Sequence, residues 1–160
     1  MKKWLYTLLV VVLAACSNEI PEQQPAKRSG RTVLAYQISN SPKSLEKNLQ
    51  DNVVDMYMAL AEIKDSCTLL VFYRPQEYSS YLDVPTLLCF DTDGRGNINN
   101  LPALTGTDLT FESVCQVAQK KEYTMNSQIA TDPVVMEEVL KDMQKIAPSD
   151  SYGLILGSHA

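Results

Sequence analysis

Two hydrophobic rhythms alternate along this chain. Short continuous apolar runs bounded by Gly, Pro or Ser are separated by stretches in which apolar residues recur at steps of three and four. The first pattern marks strands buried on both faces, and the second marks amphipathic helices. Arg31-Thr-Val-Leu-Ala-Tyr-Gln-Ile38, which follows Gly30, is the first such run. Ser39-Asn-Ser-Pro42 breaks it, and Pro42 suits the first turn of a helix. Leu45, Leu49, Val53, Met56, Leu60 and Ile63 then share one face, which predicts a long helix with Met56 and Met58 as core filler. Cys67-Thr-Leu-Leu-Val-Phe-Tyr73 is a second buried strand. Strand, helix and strand make a βαβ unit whose crossover is right-handed.

Beyond Arg74-Pro75 the pattern lapses through Tyr78 and Tyr81, and Thr86-Leu-Leu-Cys-Phe90 gives a third strand, expected beside the second. Asp108 or Thr110 caps a second helix, with Phe111, Val114, Cys115, Val117 and Ala118 on its apolar face and Lys120-Lys121 at its end, where cations complement the dipole. Asp132 and Pro133 open a third helix as N-cap and first-turn residue. Its apolar positions are Val135, Met136, Val139, Leu140, Met143 and Ile146, and Ala147-Pro148 ends it. Tyr152-Gly-Leu-Ile-Leu-Gly157 then reads as a fully buried parallel strand that delivers His159, the only histidine. In open α/β sheets chemistry sits beyond the carboxyl ends of the strands, so a His there either takes part in it or merely caps a strand. The sequence stops one residue later, at Ala160, and an incomplete domain is the expectation.

The N-terminus follows a different logic. Lys2 and Lys3 precede an apolar run from Trp4 to Leu13, too short to span a bilayer comfortably. Leu13-Ala14-Ala15-Cys16 resembles the lipobox of bacterial lipoproteins, in which small residues admit a signal peptidase and the cysteine thiol carries the lipid. Residues 1–15 are therefore expected to be a signal peptide, Cys16 the lipid attachment point, and the location the bacterial cell envelope, facing periplasm or cell surface. Residues 16–30, with Pro21, Pro25 and several Glu and Gln, have no periodic apolar face and read as a tether. The folded domain is expected over 31–160.

Composition narrows the choices further. With 45 % hydrophobic and 21 % charged residues the chain holds one ordinary globular domain. Loss of residues 1–15 removes Lys2 and Lys3 and no acid, moving the formal charge from -5 to -7. That sign disfavours a phosphate backbone, so nucleic acid is not an expected partner. With Cys16 acylated, Cys67, Cys89 and Cys115 remain at no metal-ligand spacing. Buried free thiols account for them, though a disulfide between two is open outside the cytoplasm. Asp91-Thr-Asp-Gly-Arg-Gly-Asn-Ile98 begins like a calcium loop, but Arg95 stands at the fifth position and Pro102 at the twelfth, where such loops place ligands. A Gly-rich turn is the stronger reading of Asp91 and Asp93, and no cofactor is expected.

The order of these pieces resembles the clostripain-like cysteine peptidases, which share an α/β fold with caspases and gingipains. The resemblance rests on Arg31-Thr-Val-Leu-Ala-Tyr, Leu69-Leu-Val-Phe-Tyr-Arg, the Asp132-Pro133 helix start and Ser151-Tyr-Gly-Leu-Ile-Leu-Gly-Ser-His159, and covers residues 31–160. It implies a caspase-like three-layer sandwich around a mostly parallel sheet, acting on a peptide or protein substrate. By the same resemblance His159 is the dyad histidine, and the N–H of Ala160 contributes to the oxyanion hole. The family's strand typically ends Trp-Ser-His-Gly, so Gly157 and Ala160 depart from it. Its catalytic Cys follows the His by tens of residues, and the acidic pocket that selects Arg or Lys also lies downstream. The expectation is the N-terminal part of a lipoprotein endopeptidase cleaving after basic residues, inactive as this chain alone. The alternative is a surface lipoprotein with a non-catalytic, peptidase-like binding domain.

Overall fold

The strand Arg31–Ile38 (β1) is the one on which the rest of the sheet is aligned, because it alone pairs in parallel on both sides. The computed structural model describes residues 29–39, 43–75, 82–99, 104–123 and 131–158. After β1 come the helix Lys43–Glu62 (α1), the strands Cys67–Arg74 (β2) and Thr86–Asp91 (β3), and a 3-10 turn at Gly106–Asp108. The helix Phe111–Val117 (α2), the strand Gln119–Glu122 (β4), the helix Pro133–Ile146 (α3) and the strand Tyr152–Ser158 (β5) complete the order. The sheet runs β4-β3-β2-β1-β5. β2 and β5 are parallel to β1, whereas β3 is antiparallel to β2 and β4 antiparallel to β3. The sheet is thus mixed, parallel only over β2-β1-β5.

Strand alternation divides the apolar residues between two layers. Ala35, Leu69, Val71, Tyr73, Leu88 and Phe90 pack against Leu49, Val53, Tyr57 and Leu60 of α1 and Phe111, Val114 and Cys115 of α2. On the other face Leu34, Tyr36, Ile38, Leu70, Phe72 and Leu87 meet Val139 and Met143 of α3. Helices on both faces give the expected three-layer α/β sandwich. Every residue of β2 from Cys67 to Tyr73 is buried, as its continuous apolar run required. Each large apolar side chain so buried contributes roughly 1.5–3 kcal/mol before entropy is counted.

The helix starts follow the sequence signals. Thr110 caps α2 by accepting from the Ser113 N–H at 3.2 Å, while the Ser113 hydroxyl accepts from the Thr110 N–H at 2.9 Å. Asp132 accepts from the Val134 N–H at 2.8 Å, with Pro133 in the first turn of α3. At the other end of the first run, the Ser29 N–H donates to the Pro148 carbonyl at 3.2 Å and Ser29 bridges Ser149. Ser29 and Gly30, assigned by composition to the tether, therefore already belong to the folded part.

Three expectations are corrected. Lys120 and Lys121 do not close α2: the helix stops at Val117, Ala118 is extended, and residues 119–122 turn back as β4 along β3. There Lys121 pairs with Asp142 of α3 at 2.9 Å and lies over the Tyr123 ring. Met58 is 42 % exposed rather than core filler, because it lies off the stripe that carries Val53, Tyr57 and Leu60. β5 is not a buried strand: it is the sheet edge, with Leu154, Ile155 and Leu156 exposed by 53 %, 42 % and 60 %. A single neighbour, β1, leaves both its faces outside the two apolar layers.

Candidate functional site

β1 pairs with β2 on one side and β5 on the other, while α1 covers one face and α3 the opposite one. Chain connections leaving toward opposite faces open a crevice at the carboxyl ends of the strands between them, the place where α/β sheets bind ligands. The carboxyl ends meeting here are Gln37 and Ile38 of β1, Tyr73 and Arg74 of β2, and Gly157 and Ser158 of β5. Gln37 is level with both Tyr73 and Gly157, and Ile38 with Arg74 and Ser158. Beyond β1 the ladder is extended by the Ser39 N–H, which donates to the Arg74 carbonyl at 3.0 Å. Tyr73 is fully buried and packs on the Phe111 ring with centroids 4.9 Å apart.

Sequence reasoning missed Gln37. It is 2 % exposed, on the α1 face of β1, and its carboxamide lies across β5 at Gly157. A Cβ at position 157 would overlap Gln37 Oε1 and come within 2.8 Å of Nε2. The absence of a side chain at Gly157 is what lets the carboxamide fit, and a Trp at that position would displace it. Among the described residues neither Gln37 Oε1 nor Ser39 Oγ has a hydrogen-bond partner, although both are buried. An unpaired buried acceptor costs about 1–3 kcal/mol, so two at one strand end mark a place where polarity is kept for something other than stability. The signal in the sequence was a single polar residue inside an otherwise apolar strand interior.

Of the residues singled out by sequence, His159, Ala160 and Cys16 lie outside the described residues, as do the signal segment, Pro42, Tyr78, Tyr81 and Pro102. The structure does place the last described residue before His159: Ser158 pairs with Ile38 at the carboxyl end of β1. The three remaining cysteines are free and buried. Cys67 begins β2, level with Arg31 at the amino end of the sheet, Cys89 lies within antiparallel β3, and Cys115 sits in α2 against the core. Burial pushes the Cys89 and Cys115 thiols up to about 12, and raises that of Cys67 as well. Thiols so shifted stay protonated at neutral pH and are poor nucleophiles.

The Asp91–Asn99 segment is a hairpin tip. Asp93 accepts from the Arg95 N–H and from Asn97 Nδ2, both at 2.9 Å, and these bonds, that from the Asn97 side chain foremost, hold its carboxyl below the usual range. Gly94 and Gly96 take φ of 80° and 84°, and Thr92 bridges Ile98. The carboxylate that a calcium ion would need is already engaged in shaping the turn. No group of three or more His, Cys, Asp or Glu stands together to hold a metal among the described residues.

No family model matches the chain, and no curated protein matches it by sequence. Solved structures do match by fold. One is a clostripain from Bacteroides thetaiotaomicron in complex with the peptide inhibitor BTN-VLTK-AOMK, at TM-score 0.50 and 16 % identity, covering 84 % of this chain and 93 % of that one. A Bacteroides fragilis cysteine protease matches at TM-score 0.50 and 20 % identity, over 82 % of this chain and 89 % of that one. A secreted C11 cysteine protease from Bacteroides thetaiotaomicron, called iotapain, matches at TM-score 0.51 and 16 % identity, over 84 % of this chain but 31 % of its own. The chain has the fold of the clostripain-type cysteine proteases.

Proposed function

We propose that this chain is the histidine-bearing part of a cysteine endopeptidase, lipid-anchored through Cys16 in the bacterial cell envelope, that cleaves peptide bonds after Arg or Lys. One observation carries the reading: β5 runs parallel to β1 toward the crevice at the carboxyl ends of the strands, and the next residue in the sequence is His159. In this reading the His159 imidazole takes the proton of a cysteine thiol, and the thiolate attacks the scissile carbonyl carbon. The Ala160 N–H donates to the oxyanion, and the imidazolium returns its proton to the leaving amine as the C–N bond breaks. The acyl-enzyme is then released by water, deprotonated by the same imidazole.

The nucleophile is read as a Cys on a polypeptide segment outside this sequence, because Cys67, Cys89 and Cys115 are buried away from the carboxyl ends of β1 and β5. The edge of β5 supports that reading. An edge strand with exposed Leu154, Ile155 and Leu156 and no Lys, Pro or acidic residue between Tyr152 and Ser158 lacks the usual protection against pairing. A further strand alongside β5 covers it and brings a second catalytic group to the same edge. Preference for a basic residue is supported by the inhibitor bound to one fold neighbour, BTN-VLTK-AOMK, whose peptide ends in lysine.

The test is hydrolysis of lysyl and arginyl peptide amides by the full-length natural protein. Turnover lost in His159→Ala is the expected result. Absence of turnover in the natural protein, with peptide binding retained, favours the second reading of a non-catalytic peptidase-like binding domain, for which the lack of an accessible described thiol speaks. Radiolabelled palmitate incorporation, lost in Cys16→Ser, checks the anchor.

A further inference from the structure

The two edges of the sheet are built differently. β4 closes one of them with Gln-Lys-Lys-Glu, whose charges and short length guard against pairing with another chain. β5 closes the other with Tyr-Gly-Leu-Ile-Leu-Gly-Ser, which carries no charge and exposes Leu154, Ile155 and Leu156. Its backbone also faces outward. The N–H of Thr32, the residue level with Tyr152, donates to the Ser151 carbonyl at 3.0 Å. In a parallel ladder a residue bonds to the two that flank its level partner, so Gly153, Ile155 and Gly157 turn their N–H and C=O groups toward β1. Tyr152, Leu154, Leu156 and Ser158 turn theirs to the open side, where no described strand takes them up.

This strand is its own complement. Gly153-Leu-Ile-Leu-Gly157 reads the same in both directions. Two antiparallel copies centred on Ile155 set Leu154 opposite Leu156, Gly153 opposite Gly157 and Tyr152 opposite Ser158, which leaves no residue of the strand unpaired. Leu154 and Leu156, whose groups point outward, then fall in hydrogen-bonded pairs, and the two Ile155 residues form the close, non-hydrogen-bonded pair at the centre. Backbone parity and side-chain order thus select the same register. Leu154 and Leu156 are level with Leu34 and Tyr36 of the α3 layer, so the leucines of both copies meet on that face and the two Ile155 side chains on the other. No like charges are opposed, which matters between copies that each carry a formal charge of -5.

We infer that β5 is a self-pairing edge, through which two copies of this chain join antiparallel about Ile155 into one continuous sheet. Such a two-fold contact is isologous and closes on itself. It does not depend on the peptidase reading. An edge takes one strand, so a second copy and the further strand proposed above exclude each other, and the second copy is the occupant wherever that strand is not docked. The ladder is a small interface, so pairing is expected to be half complete at roughly 10–100 µM and absent well below that range.

Sedimentation velocity of the 160-residue chain carrying Cys16→Ser, run from about 1 to about 500 µM, is expected to show monomer passing to dimer across that range. Ile155→Lys opposes two like charges at the centre and weakens association by about tenfold or more, as does Ile155→Glu, while an equimolar mixture of the two variants restores it through an opposite-charge pair. On the same background Ile155→Cys, with Cα atoms about 4.5 Å apart, oxidises to a covalent dimer, whereas Gly153→Cys, which faces Gly157 of the second copy, does not. Monomer at every concentration, association unchanged in Ile155→Lys, or linkage through Gly153→Cys as readily as through Ile155→Cys overturns the inference.

Discussion

The three described thiols decide whether this chain could carry its own nucleophile, and their reactivity follows from burial. Cys89 and Cys115 are pushed up to about 12 by desolvation. At pH 8 such a thiol is ionised to about one part in 10^4, against about a quarter for an ordinary cysteine with a pKa of ~8.5. Thiolates of higher pKa are intrinsically more nucleophilic, with a Brønsted slope of about 0.4–0.5, which returns a factor of roughly 30–60. Ionisation alone therefore slows disulfide exchange by a net factor of about 10^2 in the folded protein. Steric exclusion slows it further, since Cys115 is fully buried and Cys67 is 2 % exposed. With Cys16→Ser as background, Ellman's reagent at pH 8 should titrate Cys67, Cys89 and Cys115 promptly in guanidinium and only slowly in buffer. Labelling in buffer should accelerate with sub-denaturing guanidinium, because opening of the fold gates access. One equivalent released from the folded protein at the rate of a free thiol would refute the reasoning and would nominate that cysteine as a nucleophile after all.

Four further outcomes are expected. Gly96→Ala should destabilise the fold by about 1–3 kcal/mol in chemical denaturation, because φ is 84° and a Cβ would overlap the Ala61 carbonyl oxygen. Leu156→Lys should change stability by less than about 0.5 kcal/mol, since that side chain is 60 % exposed. Met143→Ala, at a fully buried position in the same layer as Val139, should cost about 2–5 kcal/mol in the same assay. Tyr36, whose burial raises its hydroxyl to about 12, should ionise later than a free tyrosine. A raised folded pKa means stability that is intact below the unfolded value of ~10 and lost as pH climbs from there through about 12, so tyrosinate absorbance at 295 nm should rise together with unfolding.

What the sequence disclosed tracks what is local. β1 begins and ends at the predicted residues, β2 and β3 each extend one residue further, Asp132 caps α3 as expected, and of the two caps open for α2, Asp108 and Thr110, it is Thr110 that serves. These features depend on neighbours within a few positions, which periodicity and turn chemistry report directly. β4 was not legible for the same reason inverted. Gln-Lys-Lys-Glu has no β-forming side chain, and it is a strand only because β3 offers an open edge and Asp142 a counter-ion for Lys121.

The misreading of β5 has a different physical origin, and it bears on the site. A continuous apolar run states that a strand favours cover on both faces. It does not state that the cover is present. Leu34 and Leu154 are paired neighbours on parallel strands, yet Leu34 is buried and Leu154 is 53 % exposed, because β1 has strands on both sides and β5 has one. The same asymmetry makes Gln37 conspicuous. Its strand is flanked on both sides, so a polar side chain there has no water to turn to, and leaving it unpaired costs more than it would on β5. Pattern reading passed over Gln37 inside an apolar run, while three-dimensional placement makes it a buried polar group whose oxygen lies unpaired beside Gly157. Gln37→Met, similar in shape with no unpaired acceptor, should therefore stabilise the chain in chemical denaturation, and a lowered stability would refute the cost assigned to that oxygen.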